Sequence, residues 1–61
     1  MERDSNILAI ARAAIAEFGS NAAEIMDGRA KDHVQADELE TADMWRRVAA
    51  AVREISRGPA N

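Results

Sequence analysis

The stretch "MWRRVAAAV" at residues 44–52 decides the fold. It holds the only Trp of the chain, then two Arg, then an Ala-rich apolar run, and it admits two readings. An indole beside a basic surface would make it a nucleic-acid contact. An indole that shares a helical face with apolar neighbours would make it a packing anchor. At about 100° per residue, Trp45, Val48, Val52 and Ile55 fall on one side with the three-four-three spacing of a packing seam, and Met44 joins them. Arg46, Arg47, Arg53, Glu54 and Arg57 lie opposite or at its borders. Asp43 stands three and four residues before the paired Arg, and Glu54 lies between Arg53 and Arg57, so these charges read as i,i+3 and i,i+4 pairs. Acidic residues cluster at the start of this segment and basic ones at its end, as the helix macrodipole favours. Trp45 is therefore expected in a core or subunit interface.

Outward from this helix, the chain of 61 residues has one Pro, one Thr and 14 Ala, a composition that favours helix throughout. The expected fold is all-α, a single helical domain over 1–61 with frayed tails at 1–5 and 58–61. Gly19 follows the run "ILAIARAAIAEF" where a left-handed C-terminal cap belongs, and "NAAE" at 21–24 fits a capping box. A tight turn at 19–21 would then join an antiparallel pair. A second capping box, Asp37 with Glu40, places a weaker break between Gln35 and Thr41. Gly58 and Pro59 close the last helix. Helices are expected near 6–18, 22–35 and 38–56, as a small antiparallel three-helix unit. The alternative is a helical hairpin whose long second helix is bent or broken.

The first helix carries one apolar stripe, Ile7, Ala11, Ala14, Ile15 and Phe18, with Leu8 and Ile10 on its margins. Phe18, Trp45, Val48, Val52 and Ile55 are the expected core or interface residues. In the second helix the apolar arc is Ala22, Ile25, Met26, Ala30 and Val34, and Arg29 and His33 fall inside it, four residues apart. Such a break in the binary pattern marks a place to look for function. It suggests either an anion or partner contact by Arg29 and His33, or a snorkelling Arg beside a hydrogen-bonded groove-edge His. Gly28 sits on the polar side of this helix without an evident purpose.

Chemistry is excluded more firmly than it is suggested. The chain has no Cys or Tyr, Ser only at 5, 20 and 56, and no Gly-rich phosphate loop, so no catalytic residue is expected. One His among helical carboxylates makes no metal site, and no cofactor is expected. The net charge of -3 disfavours phosphate backbones and anionic membrane surfaces. The polar start "MERDSN" lacks the pattern of a secretory signal and no apolar run reaches the length of a membrane span, so a cytoplasmic location is expected. A core this rich in Ala is small, which favours completion by a homodimer or by docking on a larger protein. Ala9, Ala13 and Ala16 on the first helix, and Ala49 and Ala50 on the third, would permit close approach there. The function expected is a non-catalytic protein-protein interaction or oligomerisation module. Its alternative is a nucleic-acid-associated regulator that uses the third helix.

The segments "FGSNAAEI", "GRA" and "MWRRVAAAVREI" resemble a group of short, uncharacterised bacterial helical proteins. In that pattern an Ala-rich first helix ends at Gly, the second opens with paired Ala, and the third carries Trp, basic residues and an Ala-rich seam. The resemblance implies a helical fold and a bacterial origin, and carries over no activity, cofactor or site residue. The stretch "VQADELETAD" departs from the pattern, because it lacks a Gly before the third helix.

Overall fold

The computed structural model describes residues 2–58, with side chains described for residues 6–58. The described residues are all-helical, with no strand among them. Helix α1 spans Glu2–Phe18, a 3-10 turn spans Gly19–Asn21, α2 spans Ala22–Gln35 and α3 spans Leu39–Arg57. Helix α1 thus begins earlier than the expected start near residue 6, and the tail expected to fray at 1–5 is helical from Glu2. Met1 and residues 59–61, including Pro59, lie outside the described residues.

Helical backbone runs from Glu2 to Gln35 with no extended residue between α1 and α2. A straight rod of 34 residues would measure about 51 Å at 1.5 Å per residue, yet the longest dimension of the molecule is 38 Å. The rod folds back at Gly19, whose φ of +60° is the left-handed conformation that glycine adopts without steric cost. The expected capping box does not form, since Asn21 makes no side-chain cap hydrogen bond. Nor is the first pair the closely packed one. Helices α1 and α2 meet chiefly near their shared turn, whereas α3 packs along α2 and, less extensively, along α1.

The second link shows how a chain without Gly turns a corner. Asp37 takes φ 64°, and Asp is among the few L-residues that visit this region readily. The Glu38 N–H donates to the His33 carbonyl at 2.8 Å and the Asp37 N–H to the Val34 carbonyl at 3.0 Å. That is the Schellman pattern with Asp37 in the left-handed position. Asp37 is therefore not the N-cap expected from "DELE". Glu38 holds that place, without a side-chain cap, and its carbonyl accepts the first bond of α3 from the Ala42 N–H at 2.9 Å.

The core lies on α3. Val48, Ala49, Val52 and Ala42 are buried from α3, Ala11 and Ala14 from α1, and Ala22, Met26 and Ala30 from α2. Six of these nine are Ala, and the largest wholly enclosed side chains are Val48 and Val52. Ile7, Ile10, Ile15, Phe18, Ile25 and Trp45 pack against this cluster while remaining partly exposed. Ala49 is thus a core residue and not part of a free helix back. Ala9, Ala13, Ala16 and Ala50 are exposed. Ile55 and Val34, expected on the apolar faces, lie outside the core at 37% exposure each, both in the last turn of their helices.

Candidate functional site

Trp45 projects from α3 into the space between the other two helices. It lines a small depression with Phe18 and Ala14 of α1 and with Met26 and Arg29 of α2. Two side chains of α2, one turn apart, lie on the indole. The Arg29 guanidinium carbon is 5.4 Å from the ring centroid, and the His33 ring is stacked at 6.4 Å between centroids with planes 10° apart. A guanidinium over an indole face contributes about 0.5–1 kcal/mol where solvent has access. This explains why a cation and an imidazole interrupt the apolar arc of α2: their partner is a π-face, which serves polar and apolar neighbours alike.

His33 is held from its other side as well. Its Nδ1–H donates to Oε1 of Glu38 at 2.7 Å, across the turn between α2 and α3. In a Schellman turn the side chains at these two positions commonly make an apolar contact; here a hydrogen bond takes its place. Arg29 forms no ion pair with any described residue. The indole Nε1–H is buried and finds no protein acceptor among the described residues. An unmet buried donor costs on the order of 1–3 kcal/mol.

The other arginines of α3 divide between helix-local and cross-helix partners. Arg47 pairs with Asp43 at 3.0 Å and Arg57 with Glu54 at 3.6 Å, as their spacing implies. Arg53 turns from Glu54 and holds Asp27 of α2. That tie was not legible from α3 alone. No cluster of three or more metal-binding side chains exists among the described residues. No helix among them is long and apolar enough to cross a membrane.

A second concave feature was not anticipated by sequence. Between the first half of α1 and the first half of α3 lies an open groove of about 700 Å³. Its apolar wall is Ile7, Ile10, Leu39 and Met44, and its polar rim includes Glu40 and Arg47. Leu39 is 60% exposed and Leu8, on the adjoining face of α1, is 43% exposed. The signal that could have found it is the apolar margin of α1, Leu8 and Ile10, which exceeds what one narrow seam needs.

Of the residues singled out by sequence, Phe18, Trp45, Arg29 and His33 come together between α1, α2 and α3. Val48 and Val52 lie in the core beneath them, and Ile55 is separate. Comparison with known proteins finds no matching family model, no matching curated protein and no matching solved structure.

Proposed function

We propose that this chain is a small non-catalytic interaction module, an antiparallel three-helix unit that completes its core by self-association or by docking on a larger protein. The observation that carries this reading is the make-up of the buried set, six Ala, two Val and one Met, with every larger apolar side chain left partly open. A domain of this length is already near the lower limit of self-sufficiency. Partial exposure of Ile, Phe and Trp together is a state that a partner surface would relieve. A cytoplasmic setting and a bacterial origin of the kind the sequence resemblance implies belong to the same proposal.

Use of α3 as a nucleic-acid reader is less well supported. Arg47, Arg53 and Arg57 are each engaged by a carboxylate, and the overall charge is -3. Phosphate recognition needs unneutralised cations on one face.

Sedimentation equilibrium over a wide concentration range, with helical circular dichroism on the same samples, tests the proposal. A mass above that of one chain, with helicity falling on dilution, is the expected result. A monomer that melts cooperatively at the same temperature at every concentration would overturn the incomplete-core reading.

A further inference from the structure

A single residue keeps α1 and α2 from forming one helix. Between Glu2 and Gln35 only Gly19 has a positive φ, while Phe18, Asn21 and Ala22 around it already have right-handed helical φ and ψ. Little else fastens the turn. Neither Phe18 nor Asn21 makes a side-chain cap hydrogen bond, and among the described residues no side-chain hydrogen bond or ion pair joins α1 to α2. A Cβ built at Gly19 meets nothing within 4 Å, so the turn needs glycine for its φ and not for space.

From this we infer that Gly19 is a hinge through which two copies of this chain exchange α1. When Gly19 takes a right-handed φ, residues 2–35 become one rod of about 51 Å, and α1 leaves the α3 of its own chain. A second copy offers the same surface, because Val48, Ala49 and Val52 of its α3 belong to the core cluster that holds Ala11 and Ala14. Two such rods, related by a two-fold axis beside Gly19, cross at the angle at which α1 leaves α2 within one chain. Each α1 then takes the place that the other vacated.

The exchange goes beyond the interaction reading above, since it needs no unfilled surface: its contacts already exist within one chain. Helix α1 is held mainly by packing on α3, and it meets α2 chiefly near the turn that opens. Straightening restores the helical hydrogen bonds that the turn interrupts, but sets a glycine in mid-helix, where only proline is less favoured. Folding back keeps α1 beside its own α3, so a second copy competes only when the chain is concentrated. Glycine takes either conformation without steric cost, which leaves the choice to concentration.

The test uses the chirality of residue 19 in the full chain, whose 61 residues are within reach of chemical synthesis. Three chains are compared by sedimentation equilibrium: the unaltered one, Gly19→Ala, and one with D-alanine in place of Gly19, each verified as helical by circular dichroism. L-alanine is strained at positive φ and at ease in a right-handed helix, and D-alanine is the reverse. Because a dimer contains two hinges, Gly19→Ala should tighten self-association about a hundredfold or more, and D-alanine should weaken it about tenfold or more. At concentrations too low for association, Gly19→Ala only strains the folded-back form. Spin labels on Ala9→Cys and Lys31→Cys, both exposed positions in a chain without native Cys, give the shape. In the Gly19→Ala dimer, diluted with unlabelled chain, they should lie about 33 Å apart along one rod, and closer in the D-alanine chain. Equal association of all three chains, including none up to about 1 mM, would overturn the exchange and leave the interaction reading to another face or a larger partner. A Gly19→Ala dimer whose labels stay as close as in the D-alanine chain would overturn it too.

Discussion

The α2–α3 hairpin and the α1–α3 joint are built from the same Ala-rich helices, yet they are secured differently. The hairpin has a hydrogen-bonded corner, the Arg53–Asp27 tie between its helices and a Trp whose ring is covered by Arg29 and His33. The α1–α3 joint has apolar packing through Ala11 and Ala14 and an open groove at its start. Among the described residues no ion pair crosses from α1 to either neighbour. The difference teaches that polar interactions at an exposed site select one geometry without adding much stability, whereas apolar packing alone leaves α1 its choice of partner surface.

The sharpest way to break this contrast is Trp45→Ala, because the indole is shared by both regions. Loss of about 3 kcal/mol is expected, the low end for an aromatic truncation since the ring is only part-enclosed. Urea denaturation followed by circular dichroism measures it, and a loss below about 1 kcal/mol would show that the two regions do not depend on one anchor. Gly19→Ala comes next. Alanine at φ +60° is strained, so about 1 kcal/mol should be lost. In hydrogen exchange, α1 amides should lose protection before those of α2 and α3. Equal loss along the chain would mean that α1 is not the weaker region.

Gly28→Ala should move stability in the opposite direction. A Cβ built there meets nothing within 4 Å and the backbone is ordinary helix, so a gain of up to about 1 kcal/mol is expected in the same denaturation assay. No gain would indicate that a partner occupies that side of α2. The smallest effect belongs to the Arg53–Asp27 tie. Both groups are about half exposed, and a double-mutant cycle to Ala should return a coupling of about 0.5 kcal/mol that shrinks in high salt. A coupling above about 1.5 kcal/mol would assign the hairpin a real electrostatic anchor.

Much of the fold was legible because helix propensity, apolar spacing and Gly punctuation agree along this chain. The spans of α2 and α3, the positive φ at Gly19 and the burial of Val48 and Val52 follow from those signals. What was not legible was pairing. Stripes on three helices say that each must bury a face, and they do not say against which neighbour. The turn at Gly19 therefore suggested a close α1–α2 pair, where the packing is with α3. Asp37 concealed the second corner, because a left-handed residue other than Gly carries no sequence mark, and the nearby Glu40 imitated a capping box. Arg29 and His33 were visible as anomalies, but their common partner was not. An indole face twelve or more residues away has no fixed spacing to either of them.

The corner at Asp37 also orders the events of folding. Its contacts join residues five or fewer apart, and the hairpin it closes is local in sequence, so α2 and α3 can meet in a loop-closure step of the fastest kind. Helix α1 has to reach across α2 to find its surface on α3. During synthesis α1 emerges before α2 and α3, and it waits for α3. Until then its apolar stripe lacks its main partner surface, and the chaperone-accessible lifetime of that stripe is set by how quickly the ribosome delivers α3.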